Sequence, residues 1–368
     1  TAPLSRSLPP KRKALDTALD AYRQAAAYNV ADVTTRASYE IADLYRQLGA
    51  DLMASERPKN LSAEALEQYD LLLEEQAIPF EEQAIKAHEA NAVRAREGLF
   101  NDGVKLSYAA LAKLSPARYA KTEQPGDYSA TLKLIEVPLP EPPPPPVVES
   151  EPEPPPAATK RASSRARASE PPPVEVAPPP EVAPVEPELP ASAIAQFERA
   201  TQQARAGQMQ DAELEFKQLI DAAPTAAGAA YNLGVLLRAA GRFDEAEDAL
   251  LTATQRAPRS TEAFNELGVV RRERGNFSGA AEAYEQALAL DPDMAAAHRN
   301  LAVLRDLYQG DAVAALPEFE RYQALTGEDR PVTTWIADVR QRAGRAAAAS
   351  APAPESAPSA QPSVEASE

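Results

Sequence analysis

The feature that most constrains this 368-residue chain is a 34-residue repeat in its C-terminal half. Glycines recur at this interval at Gly207, Gly241 and Gly275. Small, bulky and proline positions recur at the same interval, at Ala212, Ala246 and Ala280, at Phe216, Leu250 and Tyr284, and at Pro224, Pro258 and Pro292. A fixed period of this length predicts a stack of similar supersecondary units, each of which contacts only its neighbours.

The repeated positions favour a pair of antiparallel helices, A and B, in each unit. Leu233-Gly234 recurs as Leu267-Gly268. Because glycine has no Cβ, helix A can approach helix B closely at this position. Glycine at the turn can take a left-handed conformation and end helix A, whereas proline ends helix B. The pattern resembles the tetratricopeptide (TPR) repeat family. That resemblance implies an all-α fold, an α-α superhelix whose concave face is lined by the A helices.

The repeats predict a domain over residues 193–342, with about four units and a capping helix. The first unit has Arg199-Ala200 in place of Leu-Gly, as a terminal repeat tolerates. In the fourth unit, one extra residue delays the turn glycine to Gly310, and Pro317 falls near the start of helix B. A last helix over residues 331–341 is expected to seal the open end of the stack.

Residues 11–120 carry apolar side chains at three- and four-residue steps, which predicts four or more helices. Ser62 is expected to cap the third of these helices, and Pro79 to kink or split it. The 34-residue step is absent here, but the helices are expected to pair as they do in a repeat. This region is therefore predicted to be a TPR-like helical domain. Residues 1–10 are expected to be disordered, and residues 121–136 to form a connecting segment.

Residues 137–190 are rich in proline and glutamate and cannot bury a core, so they predict a disordered linker between the two helical domains. Its basic island, from Lys160 to Arg167, has two interpretations: part of a solubilising spacer, or a site that docks on an acidic surface or a peptidoglycan-associated partner. Residues 343–368 contain mainly Ala, Pro, Ser and Glu and are predicted to be a disordered tail.

Composition narrows the partner classes. The net charge of −17 disfavours nucleic acid and anionic lipid. The absence of cysteine excludes disulfides and thiolate chemistry, and no apolar run is long enough to predict a transmembrane segment. The expected partners are therefore proteins or peptides.

The A helices predict a partner-binding groove on the concave face. Its predicted lining residues are Tyr231, Asn232, Val235, Arg238, Asn265, Val269, Arg272, Arg299, Asn300 and Val303. Asn amides can hold a peptide backbone, and Arg side chains can bind carboxylates bidentately. Three interpretations stay open: capture of an acidic or carboxylate-bearing peptide, a general peptide or protein groove, and a face that these residues merely solvate. The acidic linker beside the groove is a further candidate occupant.

Little in the sequence predicts catalysis. The two histidines, His88 and His298, show no metal-ligand spacing and are interpreted as core or rim residues. The paired acids Glu81 and Glu82 are typical of a solvated helix face, and a hydrolase accessory role is the weaker alternative. We therefore predict no catalytic residue, no metal site and no cofactor.

Several stretches are similar to a narrower group. These are residues 37–45, 53–58, 66–70 and 79–82 near the N-terminus, and 319–322 and 335–338 near the end of the repeats. They resemble bacterial cell-envelope TPR proteins of the gliding-motility type (GltE/AglT-like), which are associated with proton-channel-driven TolQ/ExbB- and TonB-like systems. The resemblance implies a non-enzymatic scaffold that is periplasmic or outer-membrane-associated. A cytoplasmic location stays open, as does the alternative of a periplasmic assembly factor or chaperone for outer-membrane or pilus-like proteins.

Overall fold

The structure, a computed structural model, describes residues 4–138 and 189–350, and all regular secondary structure in these ranges is helical. The N-terminal region comprises α1 Leu4–Ala27, α2 Ala31–Met53, α3 Ala63–Arg96, α4 Asp102–Leu114 and α5 Pro116–Tyr119. The predicted all-α class is thus confirmed. Within the described ranges, no helix is long and apolar enough to cross a membrane.

The repeat region consists of four helix pairs and a final helix, stacked in sequence order. The pairs are α6 Ala191–Arg205 with α7 Met209–Ala222, α8 Ala227–Ala239 with α9 Phe243–Arg256, α10 Thr261–Glu273 with α11 Phe277–Leu290, and α12 Ala295–Val303 with α13 Ala312–Thr326. Helix α14, Val332–Ser350, closes the stack against α13. The predicted α-α superhelix is confirmed in this region.

Close contacts at glycine explain why the Leu-Gly pair recurs. A Cβ placed on Gly234 would lie 2.5 Å from Cγ of Leu250, and one on Gly268 would lie 2.6 Å from Cδ1 of Tyr284. The bulky residue of each B helix therefore occupies the space that a side chain on the A helix would need. The turn glycine Gly241 has a φ of 74°, in the left-handed region predicted for the end of helix A.

The extra residue in the fourth unit is absorbed inside helix A. A π-helical turn, Leu304–Gln309, follows α12 directly and ends at Gly310, whose φ is 72°. A π-turn accommodates one inserted residue without breaking the helix, so the packing of the next B helix is preserved. Ala315 and Phe319 are accordingly fully buried, like their counterparts in the earlier units.

Three boundary predictions differ from the structure. Pro79 does not split α3, which is continuous from Ala63 to Arg96 because one missing backbone hydrogen bond is tolerated within a long packed helix. Helix α1 begins at Leu4, within residues predicted to be disordered, since an established helix extends outwards at little cost. Helix α14 likewise runs to Ser350. The disorder predicted for residues 139–188 and 351–368 lies outside the described residues.

The N-terminal region packs directly on the third and fourth repeat units. Phe100 makes ring contacts with Phe277 and Tyr308, at centroid distances of 5.1 and 5.9 Å. The Tyr108 hydroxyl donates a hydrogen bond to the Leu307 carbonyl at 2.9 Å. The two regions therefore share one hydrophobic core, which the sequence pattern did not predict.

Candidate binding groove

The concave face of the repeats is occupied by the chain itself. Residues 121–137, which we call the strap, leave α5 and cross the A helices from the fourth unit towards the second. The strap has no helix or strand of its own, and it turns near residues 130–133. Its direction is opposite to the order of the repeats, because Gln124 contacts the fourth unit and Ser129 contacts the second.

Two asparagines hold the strap by its backbone. Asn232 accepts a hydrogen bond from the Ser129 amide at 2.7 Å and donates one to the Ser129 carbonyl at 3.1 Å. Asn300 does the same for Gln124, at 2.6 and 3.0 Å. Both asparagines are fully buried, so their side-chain amides are held in place. Their hydrogen bonds replace those that the strap backbone would otherwise make with water.

Glu266 also binds the strap backbone, from the repeat between those of Asn232 and Asn300. It occupies the equivalent position in the third unit, 34 residues from both Asn232 and Asn300, and accepts a hydrogen bond from the Gly126 amide at 2.8 Å. The Arg238 guanidinium pairs with Glu266 and donates to the Gly126 carbonyl at 3.4 Å. One position of helix A therefore contacts the strap backbone in three successive repeats.

Glu123 is the main side-chain anchor of the strap. Its carboxylate lies 2.6 Å from the Arg272 guanidinium and accepts a hydrogen bond from the Tyr284 hydroxyl at 2.7 Å. The Glu123 side chain is only 3% exposed, so this is a desolvated ion pair. Burial raises the pKa of Glu123, while Arg272 and Tyr284 oppose that rise. Burial alone would lower the pKa of Arg272, but nearby Glu123 raises it well above its ordinary value, which keeps the guanidinium charged.

Gly126 lies against the side chains of Tyr231 and Glu266. A Cβ at this position would collide with the hydroxyl of Tyr231 and would lie 3.3 Å from Oε2 of Glu266. Burial also raises the pKa of Tyr231, so its hydroxyl stays neutral. The groove therefore accepts glycine at this point of the strap and excludes larger residues.

Each end of the strap is fastened separately. At the N-terminal end, the Lys121 ammonium lies 2.7 Å from Asp306 and 2.8 Å from Asp338, and Arg342 lies 2.6 Å from Asp306. Asp306 thus forms ion pairs with Lys121 and Arg342, but neither contact has the geometry of a hydrogen bond. Further along the strap, Leu132 is buried in the core and its carbonyl accepts a hydrogen bond from the Gly228 amide at 2.8 Å. At the C-terminal end, the Val137 amide donates a hydrogen bond to the Arg259 carbonyl at 3.1 Å.

The sequence-predicted groove residues fall into three groups. Those in contact with the strap are Tyr231, Asn232, Arg238, Arg272, Arg299 and Asn300. Asn265 instead accepts a hydrogen bond from Asn300 at 2.9 Å, and lines a cavity of about 450 Å³ beside the strap. Val235, Val269 and Val303 are buried in the hydrophobic core.

Sequence reasoning missed the occupant and several of its contacts, among them Glu266 and Tyr284. Glu266 could have been found by its 34-residue spacing from Asn232 and Asn300, which shows that it shares their position. Tyr284 is one of the recurring bulky positions, which predicts packing but does not indicate that its hydroxyl contacts Glu123. The linker proposed as an occupant lies, from residue 139 onward, outside the described residues.

The two histidines lie apart from the groove contacts. Burial lowers the pKa of His88 to about 4, and its Nδ1 lies 3.3 Å from the Ser107 hydroxyl. His298 contacts Glu318 at 2.6 Å and the Pro292 carbonyl at 2.9 Å. In the ranges that the structure describes, no group of three or more His, Cys, Asp or Glu side chains is arranged to hold a metal ion.

Comparisons with known proteins identify the repeats. A tetratricopeptide repeat model matches residues 203–267, and a TPR repeat model matches residues 268–305. No curated protein sequence matches the chain.

Similar solved structures include MamA and pilF. MamA (41-end) from Desulfovibrio magneticus RS-1 is 21% identical, with a TM-score of 0.35, over 38% of this chain and 77% of that one. The pilF protein of Pseudomonas aeruginosa is 18% identical, with a TM-score of 0.38, over 42% of this chain and 70% of that one. The matched family models identify residues 203–305 as tetratricopeptide repeats.

Proposed function

We propose that this protein is a non-enzymatic scaffold of the bacterial cell envelope, and that its repeat groove binds an extended segment of a partner protein. The observation that carries the proposal is the contact of Asn232 and Asn300 with the strap. Each asparagine holds both the amide and the carbonyl of one residue, so at these two positions the groove binds peptide backbone whatever the side chain. Tetratricopeptide repeats provide such surfaces for protein partners.

The envelope location and a role in a proton-channel-energised, TonB- or gliding-motility-like complex are supported by the sequence resemblance of residues 37–45 and 319–322. A scaffold of this kind holds stable partners. The alternative, an assembly factor or chaperone, is favoured by the same backbone contacts, because they would tolerate many unfolded clients. The two functions differ in how long a partner stays bound.

Affinity capture from the native cell tests the proposal. The full chain and an Asn232→Ala/Asn300→Ala double variant are used as baits after mild crosslinking. A matched control is Gln196→Ala/Gln218→Ala, which removes two exposed amides that contact each other at 3.3 Å. We expect the control to retain the captured partners and the groove variant to lose them. Equal capture by all three baits would contradict binding through the groove.

A proximity label on the same baits separates the two functions and tests the location. Enrichment of inner-membrane motor components, stable to washing, would support the scaffold. Transient labelling of many unfolded outer-membrane or pilus-like proteins would support the chaperone. Labelling confined to cytoplasmic proteins would contradict the envelope location.

A further inference from the structure

The strap binds to the groove as a peptide ligand would. Its backbone is held at Gln124, Gly126 and Ser129 by equivalent positions of three A helices. Its one acidic anchor, Glu123, enters a buried pocket of complementary charge. The remaining groove contacts at Thr122 also involve polar atoms, since Arg299 donates to its carbonyl at 2.8 Å and to its hydroxyl at 3.0 Å.

We infer that the strap is a displaceable internal occupant, and that the groove's partner is an extended acidic segment with a glutamate followed three residues later by a glycine. The inference rests on the proposed function and specifies its partner class. The spacing is that of Glu123 and Gly126 in the strap. An external segment with this pattern can replace the backbone hydrogen bonds of the strap and its ion pair with Arg272.

The carboxylate requirement follows from Arg272. This guanidinium is 13% exposed and, apart from its neighbour Glu273, its charge is balanced by Glu123. A neutral occupant would leave a largely buried cation without its main partner, which is strongly unfavourable. A partner glutamate restores the pair, so exchange of one acidic segment for another conserves the largest electrostatic contact in the groove.

The glycine requirement follows from Tyr231 and Glu266. Their side chains occupy the space around Gly126 that any Cβ would need. Both are buried and fixed by the surrounding helices, which limits their movement away from a larger residue. The groove thus selects by charge at one position and by size three residues later.

The middle of the strap, residues 122–131, can dissociate from the groove. Within residues 122–131, Tyr128 is only half-buried against the core, and Gln124, Pro125, Asp127 and Ala130 are exposed. Lys121 and Leu132 are buried on either side of these ten residues and can stay bound when the ten residues, with the buried carboxylate of Glu123, leave the groove. Tethering gives the strap a high effective concentration, so a free peptide competes weakly until the strap is weakened.

The test uses the full chain and a fluorescent peptide with the sequence of residues 121–132. Gly126→Ala in the chain weakens the strap but leaves the groove unchanged. Gln124→Ala is the matched control, because this side chain is exposed and the two hydrogen bonds of Gln124 with Asn300 are made by its backbone, which the substitution keeps. We expect the peptide to bind the Gly126→Ala chain about tenfold more tightly than the wild-type or control chain, as one misfitting methyl group implies.

Peptide variants test the two selection rules. Replacing the peptide's glutamate by glutamine, or its glycine by alanine, is expected to reduce binding to the Gly126→Ala chain by about tenfold or more. Equal binding of all three peptides would overturn the partner class. Absence of any peptide binding to a Gly126→Ala chain with a wild-type circular dichroism spectrum would overturn displacement.

Amide hydrogen exchange on the wild-type chain keeps the inference testable if Gly126→Ala fails to fold. We expect the amides of Gln124, Gly126 and Ser129 to exchange by local opening, faster than the core amides of α8 and α10, and faster still with excess peptide. Exchange at the core rate, unchanged by peptide, would overturn the inference. Loss of native partners from the Asn232→Ala/Asn300→Ala bait would still support the proposed function in that case.

Discussion

The N-terminal helices and the repeats are both all-helical but are held together differently. In the repeats, equivalent small residues such as Ala246 and Ala280 are completely buried, and bulky residues such as Leu250 fill the space beside glycine. In the N-terminal region, a buried polar cluster lies between α2, α3 and α4. There, Asn91 donates hydrogen bonds to the Thr35 carbonyl at 2.9 Å and to the Ser107 hydroxyl at 2.8 Å.

This difference implies different weaknesses. A packing of small and large side chains fails when a side chain is enlarged, because the neighbouring helices cannot move apart without losing contacts. A buried polar cluster fails when the charge or hydrogen-bonding capacity of one member changes. Adding a methyl group at a repeated glycine should therefore weaken the repeats, and protonation of His88 should weaken the N-terminal region.

The largest effect is expected at the junction of the two regions, in Lys121→Ala. The Lys121 side chain is fully buried, and its loss leaves Asp306 with Arg342 alone and removes a cation from Asp338. Breaking a buried ion pair typically costs about 3–5 kcal/mol, and we expect a loss of unfolding free energy near the lower end of that range in urea titrations.

An exposed pair provides the control for this substitution. Lys11 and Asp51 also form a salt bridge, but their side chains are 49% and 54% exposed. Lys11→Ala should change the free energy of unfolding by less than about 1 kcal/mol. If the two substitutions had equal effects, Lys121 would not be a structural link between the regions.

The next largest effect is a pH dependence that originates in the N-terminal region. Burial lowers the pKa of His88 to about 4 in the folded chain, from about 6.5 when unfolded, so below pH 6.5 the unfolded state binds a proton that the folded state does not. Stability from this group is therefore complete above pH 6.5 and is lost as pH falls towards 4. The full loss is about 3 kcal/mol, of which roughly 2 kcal/mol falls between pH 7 and 5.

The variant His88→Gln isolates this contribution. Glutamine can still hydrogen-bond the Ser107 hydroxyl but does not titrate, so the variant should lose less stability than the wild type between pH 7 and 5. His298 is present in both chains and cancels in the comparison. Parallel curves of unfolding free energy against pH would show that His88 is not the source.

The same difference explains what could be predicted from the sequence. The repeat positions could be predicted because Gly241, Ala246 and Pro258 each recur for a steric reason at a fixed interval. The π-helical turn after α12 was signalled only as one extra residue before Gly310, since an insertion does not reveal whether a loop or a helix absorbs it.

The strap could not be predicted because it has no periodic pattern. Its ten middle residues, 122–131, contact the groove mainly through their backbone, which is the same in every sequence. The polar lining residues Asn232, Arg272 and Asn300 could be assigned to the concave face by their spacing, but spacing does not reveal an occupant. The shared core around Phe100 was missed for a related reason, because contacts between unlike elements leave no repeat.

A moderate effect is expected for Gly268→Ala in the repeats. The added methyl group would overlap the ring of Tyr284, which is itself fully buried and held by Glu123. Overpacking of this kind costs about 1–3 kcal/mol, enough to lower the melting temperature in a thermal scan. An unchanged melting temperature would show that the A and B helices can separate freely.

The smallest effect, and one of opposite sign, is expected for Gly49→Ala in α2. Here a Cβ would lie 3.6 Å from both the Ala77 carbonyl oxygen and the Phe80 Cβ, which is ordinary van der Waals contact. Because alanine restricts the unfolded chain and favours the helix, we expect a gain of about 0.5–1 kcal/mol, seen as a higher melting temperature. A loss as large as that of Gly268→Ala would mean that α2 and α3 are packed as tightly as a repeat, and the contrast between the two regions would then rest on the polar cluster alone.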